Sequence, residues 1–326
     1  MTRLQLPDGV GVTALMAAYA RAQELRRDNP LFEDEAAALF MADALGISTR
    51  DGESLPRLGP ARDDGTSDLW NSLAGSFVAR TPFYDTYLTE RIAAGCRQVV
   101  QLGAGLDGRA FRLPLGPDVA MYEIDTPVVL DFKAGVLARH GVESLVKRVP
   151  VGVDLRDDWV GALEAAGFDV GQPTAWMAEG LFMYFTAEEA DGLMAAVTAA
   201  SAPGSTVAGE YLSRRSRLGD VAASDADEQA LIELSVAADQ GGPGSAPDIW
   251  LAGHGWRGAY HQLVDELAAI GRPVPPLWRV DRDDPLRVWL FTGALGADAV
   301  GTDALGADVL GVDALGAGGG GDSGTG

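Results

Sequence analysis

Two groups of residues in this chain have the types and spacing to do chemistry. The first is Leu102-Gly103-Ala104-Gly105-Leu106-Asp107-Gly108-Arg109-Ala110, which follows a short apolar run, Gln98-Val99-Val100-Gln101-Leu102. Gly103 and Gly105 let the backbone turn tightly and approach a ligand with no side chain in between. A helix opening just past them offers unpaired N–H groups and a partial positive charge to a carboxylate or phosphate. The second group is acidic. Glu123 lies twenty residues beyond Gly103, and Asp125 twenty beyond Gly105. That spacing puts a carboxylate at the end of a second strand, within reach of both hydroxyls of a ribose. Strand, glycines, helix and acid together point to a nucleoside site. Two ligands fit it. Gly103-x-Gly105-x-x-Gly108 matches the dinucleotide fingerprint, with a pyrophosphate on the helix start. S-adenosylmethionine fits as well, its adenosine on the acid and its methionine end near the turn.

Other chemistries find less support. The single cysteine, Cys96, forms no internal disulfide, and no cysteine cluster exists to hold zinc or iron–sulfur, so no metal site is expected. The only lysines are Lys133 and Lys147, and neither has a Tyr four residues before it. The Tyr-x-x-x-Lys pair of many NAD-dependent oxidoreductases is therefore missing. Three histidines are available as proton carriers: His140, His254 and His261. His140 falls near a helix end and reads as solvated. His254, in Gly253-His254-Gly255-Trp256, is the one placed to face an acceptor.

The charge balance narrows the partners. With 25 Lys plus Arg against 47 Asp plus Glu, the formal net charge is −22. Such a chain repels phosphate backbones, which argues against nucleic acid. No run of about 18 apolar residues is present to span a membrane. The first nine residues lack the basic-then-apolar order of a secretion signal, so a cytoplasmic protein is expected. The 326 residues, 47% of them apolar, suffice for one large core or two modest ones.

The elements that must position these residues alternate. Strands are predicted at 98–102, 119–124, 149–153, 174–179, 205–211 and 287–292, with 278–280 as a strand beside the last. Helices are predicted at 128–140, 157–166, 186–201 and 259–270. The helix at 186 opens on Thr186-Ala187-Glu188-Glu189, a capping-box pattern. Alternation of this kind implies a mostly parallel sheet covered on both faces. Before residue 97 the pattern is helical, with apolar residues at three- and four-residue spacing over 13–27 and 34–45. Three stretches read as irregular. Residues 49–68 and 239–247 are rich in Gly, Pro and Asp. From Gly296 a five-residue repeat runs, Gly-Ala-Asp-Ala-Val and then Gly-Thr-Asp-Ala-Leu. It fits neither the period of a helix nor that of a strand, and reads as an acidic disordered tail over 295–326.

The chain resembles the actinobacterial S-adenosylmethionine-dependent methyltransferases related to leucine carboxyl methyltransferase and to tetracenomycin-type polyketide O-methyltransferases. The resemblance rests on Pro30-Leu31-Phe32, Arg80-Thr81-Pro82-Phe83-Tyr84-Asp85, Gln98 to Asp107, Tyr122-Glu123-Ile124-Asp125-Thr126-Pro127, Val153-Asp154-Leu155-Arg156 and Trp176 to Tyr184. It implies an α/β, Rossmann-like class I methyltransferase fold, a seven-stranded mostly parallel sheet with an antiparallel last strand. It also implies a helical N-terminal cap over 1–96, a core over 97–294 and a lid inserted at about 212–255.

It further implies roles. Arg80 resembles the family's partner for the cofactor's carboxylate, a task that suits a bidentate guanidinium. Gly103 and Gly105 would line the methionine side, and Asp125 would take the ribose, with Glu123 as second choice. Asp154 and Leu155 would hold the adenine, and Glu179 would lie near the cofactor's amino acid part. Gly108 stands where the family usually has Thr, and should loosen the helix start. The cofactor expected is S-adenosyl-L-methionine and the acceptor a small molecule, with O-methylation of a carboxylate or a phenol in secondary metabolism. Tyr184 and His254 are the candidates beside the acceptor oxygen. An ionised carboxylate needs orienting rather than a base, whereas a phenol near pKa 10 is helped by one. The alternatives are an NAD-dependent oxidoreductase and a binding protein without catalysis.

Overall fold

The computed structural model describes residues 11–51 and 65–296. The five-residue repeat lies outside the described residues, as does most of the expected loop at 49–68. Three helices come first: α1 (Gly11–Glu24), α2 (Glu35–Asp51) and α3 (Asp68–Ala93). Asp34 starts α2 by accepting the Ala37 N–H at 3.0 Å, and Ser67 starts α3 by accepting that of Trp70 at 2.9 Å. Pro82 removes one intrahelical donor from α3, just past Arg80.

Strand and helix then alternate. The chain forms β1 (Gln98–Leu102), α4 (Arg109–Arg112), β2 (Ala120–Asp125), α5 (Pro127–His140), β3 (Lys147–Gly152), α6 (Trp159–Ala165) and β4 (Thr174–Ala178). It continues as α7 (Ala187–Ala199), β5 (Thr206–Leu212), α8 (Ala226–Ala238), α9 (Pro247–Gly253), β6 (Trp256–Gln262), α10 (Leu263–Ala269) and β7 (Val288–Leu295). The capping box at Thr186 and Glu189 is formed in both directions.

The seven strands make one sheet in the order β3-β2-β1-β4-β5-β7-β6. All pairs are parallel except those of β7 with β5 and β6. This is the expected α/β class I methyltransferase architecture. Buried strand residues split between the two faces. Val100, Tyr122, Trp176 and Tyr211 join α6, α7 and α9 on one side, while Val99, Met121, Ala175 and Leu212 join α3 and α10 on the other. A third cluster binds α1, α2 and the start of α3 to α5, and Ile232 of α8 joins it. The helix inserted after β5 therefore rests on the N-terminal helices.

Three expectations are corrected. Residues 259–262 are the end of β6, not the start of a helix. Apolar spacing from Ala259 to Ile270 extends the helical pattern one turn too far, because β6 is an edge strand with few buried side chains to mark it. Residues 278–280 form no strand: Trp278 closes a single 3-10 turn, and the strand beside β7 is β6. Within the expected lid, α9 packs Trp250 and Leu251 into the sheet core and is a crossover helix, which leaves residues 213–246 as the excursion.

Candidate functional site

Parallel strands deliver their carboxyl ends to one edge of the sheet, where ligands of such folds sit. At that edge β1 runs into the Gly-rich turn. Gly103 and Gly105 adopt φ of 67° and 50°, values that a side chain resists. Space for a side chain is tight as well. A Cβ on Gly103 would stand 3.0 Å from Leu181, and one on Gly105 would stand 3.3 Å from Ala14 of α1. The Gly105 N–H donates to Asp125 Oδ2 at 2.7 Å, and the Thr126 N–H donates to Oδ1 at 2.7 Å. Asp125 thus ends β2 beside the turn, as the spacing predicted. Burial pushes its carboxyl up, and those two N–H donors offset only part of that.

Glu123 is a correction. Its side chain points from the same strand toward α5 and is 0% exposed. Lys133 Nζ lies 2.9 Å and Arg148 Nη2 2.7 Å from its Oε2. A carboxylate closed between two cations in the core is not available to a ribose.

Asp154 and Leu155 follow β3. Asp154 accepts the Arg156 N–H at 2.9 Å and is half-exposed, while the cap of α6 is Asp158. Asp154 is therefore not consumed as a helix cap. Leu155 packs partly against the sheet core.

Arg80 reaches the edge from α3. Its Nε donates to Glu179 Oε1 at 2.9 Å, and its Nη1 to Glu210 Oε1 at 2.7 Å. Glu179 follows β4, and Glu210 lies in β5. The Nη2 group takes no hydrogen bond among the described residues. It lies over Gly180, whose φ is 66° and where a Cβ would stand 3.1 Å from it. Of five guanidinium N–H groups, the fork on that side stays open.

Arg109, from α4, is the second cation. It is 2% exposed and pairs with Asp107, with Glu179 at 2.7 Å and with Asp85 at 2.7 Å. Arg112 holds Asp85 from its other side. Burial works against the charge of Glu179, yet Arg109 and Arg80 together hold its carboxyl below the usual range. For Glu210 burial wins, and its carboxyl is pushed up despite Arg80. The Gly-rich run contains Arg109 and Asp107, but nothing in their spacing assigns them a role, and nothing in the sequence marks Glu210. Isolated buried charges on a strand or a short helix leave no periodic signal.

Tyr184 lies in a 3-10 turn, Phe182–Tyr184, past β4. Its half-buried phenol is pushed up by burial and hydrogen-bonds Thr13 of α1. Tyr184 and Glu179 thus share the carboxyl edge. His254 does not join them. β6 starts at Trp256, opposite Leu295, and β7 ends against the start of β5 at Thr206. His254, just before Trp256, therefore lies at the amino edge of the sheet, where its ring faces Asp191 at 3.3 Å. The glycines around it allow its placement but do not determine which edge it reaches. His140 contacts Asp43 at 3.2 Å on the surface, and His261 contacts Glu266 at 2.5 Å. No cluster of metal-ligating side chains occurs among the described residues, and no helix among them is long and apolar enough to cross a membrane.

Gly108 has a reason. A Cβ there would fall 2.2 Å from Oδ1 of Asp34, which is 0% exposed and fills the space beside the turn. Asp34 holds Arg21 Nε at 2.8 Å, and Arg21 Nη2 donates to the Leu106 carbonyl at 2.6 Å. The missing side chain admits a carboxylate from the N-terminal helices, so the turn is braced at this point.

Comparison with known proteins identifies the family of the chain. The leucine carboxyl methyltransferase profile matches residues 14–198. A protein of Mycolicibacterium paratuberculosis, named "Putative S-adenosyl-L-methionine-dependent methyltransferase", is 42% identical over 269 residues, covering 82% of this chain and 85% of its own. A protein of Frankia alni with the same type of name is 40% identical over 273 residues, covering 82% and 90%. Among solved structures, a DUF574-family protein from Streptomyces avermitilis superposes with a TM-score of 0.50 at 15% identity, over 87% of this chain and 97% of that one, a likeness of fold.

Proposed function

This chain belongs to the leucine carboxyl methyltransferase family and is an S-adenosyl-L-methionine-dependent methyltransferase; we propose that it methylates an oxygen of a small-molecule carboxylate or phenol. The observation that carries the assignment of residues is Arg80. Two carboxylates hold its guanidinium, and the fork left open lies over Gly180, beside the Gly103–Gly105 turn. That fork suits a carboxylate. The donor set around it fits the rest of the cofactor. Glu179 is ionised and accepts from an ammonium, Asp125 accepts from ribose hydroxyls, and Asp154 with Leu155 offers one acceptor and one apolar surface to a purine.

The cofactor, when bound, supplies a methyl group on a sulfonium, already activated for transfer. The chain's residues then have to bind, orient and exclude water. Arg80 and Glu179 fix the amino acid end, and Asp125 fixes the ribose. Tyr184 orients the acceptor oxygen from the carboxyl edge. Its raised phenol keeps the proton near neutrality, so it donates a hydrogen bond rather than removing a proton. His261, the histidine at the carboxyl end of β6, is paired with Glu266 rather than with Tyr184, which favours an acceptor that is already ionised. The helical cap up to residue 96 and the 213–246 excursion wall the acceptor pocket in this reading, and the strong acidity favours a small acceptor over nucleic acid. The resemblance to polyketide O-methyltransferases makes a role in secondary metabolism part of the same proposal. Incubation with labelled S-adenosyl-L-methionine and a panel of aliphatic acids, aromatic acids, phenols, amines and thiols tests it. Label on an acid or a phenol is expected; label only on amine or thiol acceptors would overturn the oxygen assignment.

A further inference from the structure

We propose that Glu210 is a positioning residue for the cofactor: from β5 it sets the direction of the Arg80 guanidinium and the backbone of the Gly180 turn together. The inference rests on the reading of Arg80 given above. One oxygen of Glu210, Oε1, accepts both Arg80 Nη1 at 2.7 Å and the Gly180 N–H at 2.7 Å. The other, Oε2, accepts the hydroxyl of Tyr84, one helical turn past Arg80 on α3. Glu210 is 1% exposed and Tyr84 0% exposed, so both side chains are enclosed by protein. The carboxylate therefore ties three elements to one point: the helix that carries Arg80, the strand beside it and the left-handed turn that lies under the open fork.

Glu179 alone does not fix the guanidinium. It holds Nε at 2.9 Å, and a single bond at Nε leaves the plane of the group free to swing about it. The second bond, at Nη1, closes that freedom and leaves the Nη2 side open. Glu179 is also shared with Arg109 at 2.7 Å, whereas Arg80 is the sole cation paired with Glu210 among the described residues. Glu210 itself faces no solvent and no open space beside the Gly-rich turn. It acts through Arg80 and is not a ligand.

A role of this kind is selective. It concerns the carboxylate end of a ligand and not the adenosine end. Titration calorimetry with two probes separates them: S-adenosylhomocysteine carries the amino acid, and 5′-methylthioadenosine lacks it. Glu210→Ala should weaken S-adenosylhomocysteine by about tenfold, the worth of one hydrogen bond to a charged group, and leave 5′-methylthioadenosine unchanged. Glu210→Gln keeps the shape and an oxygen for Gly180 and Arg80. It should lose less, with the same selectivity, and it carries the test if the Ala variant does not fold. Adding Arg80→Ala to either variant should cost no more than Arg80→Ala alone. Equal weakening of both probes would make Glu210 merely structural, and wild-type affinity for both would remove it from the site; either result overturns the inference. Full affinity for S-adenosylhomocysteine in Arg80→Ala alone would instead overturn the reading of Arg80, a distinguishable failure.

Discussion

Gly108→Ala is the substitution whose effect the structure determines most closely. The new methyl would lie 2.2 Å from Asp34 Oδ1 and 2.8 Å from Asp34 Cγ, far inside van der Waals contact. A side-chain end can usually swing away, but this one cannot do so without loss. Asp34 is fully buried and is held by Arg21 Nε and by the Ala37 N–H. If it moves, α2 loses its N-cap, about 1 kcal/mol, and Arg21 at 7% exposure loses its carboxylate. Stranding a buried charge completely costs about 3–5 kcal/mol, and overpacking with a partial shift about 1–3 kcal/mol. Since the clash is with a side chain and some shift is available, about 2–4 kcal/mol is expected. At about 2 cal/mol/K of unfolding entropy per residue, each kcal/mol moves the melting temperature of a chain of this size by roughly 1.5–2 °C, so the variant should melt about 3–8 °C lower. Scanning calorimetry or urea unfolding reads this directly. Asp34→Ala removes the obstacle, so the double variant should cost clearly less than the sum of the two single ones. Additivity, or a Gly108→Ala protein that melts with the wild type, would refute the account of why glycine stands there.

Asp125→Ala should abolish cofactor binding in calorimetry with S-adenosyl-L-methionine; unchanged affinity would remove Asp125 from the ribose role. Glu123→Gln strands Lys133 and Arg148 in the core and should cost about 3–5 kcal/mol of stability, read by urea unfolding, while the folded protein keeps its cofactor affinity. Acid should unfold the protein through the Arg109 cluster. Burial works to raise the Asp107 carboxyl, but Arg109 holds it well below its ordinary value. A depressed carboxyl adds stability that is fully present above its unfolded pKa of about 4 and is lost as pH falls through the folded value. The unfolding free energy should therefore decline below about pH 4, and Asp107→Asn should flatten that decline.

Much of this was legible because the signals were local. The run from Gln98 to Gly105 announces a buried strand and a tight turn, since five apolar or amide residues followed by two glycines suit little else. Thr186 and Glu189 mark a helix start by their own hydrogen bonds. Asp125 can be placed because a tight turn and a connection of ordinary length fix the distance to the next strand end. The edge that His254 reaches could not be placed this way. It depends on β7 running antiparallel, and so on pairings between residues 27 to 88 apart in sequence. The same holds for Glu210, whose partners Arg80 and Tyr84 are 130 and 126 residues away. The need for glycine at position 108 is hidden for a related reason. Taken alone, a glycine at a helix start loosens it, and only the arrival of Asp34 from a distant loop turns the gap into a seat.

The contacts of the N-terminal helices also constrain the order in which the molecule is made. Glu24 on α1 is 2% exposed and accepts from Arg272 Nη2 at 2.7 Å, across 248 residues of chain. Ser72 near the start of α3 accepts the Trp278 indole N–H at 2.7 Å, across 206. These helices thus have no finished seat during synthesis until nearly all of the described chain after them has followed. Until then α1 and α3 expose apolar faces meant for partners not yet made, which is the condition under which nascent chains rely on chaperones. Separating the N-terminal helices from the residues near 272–278, by truncation or by dividing the gene into two fragments, should therefore harm folding yield more than the stability of molecules already folded.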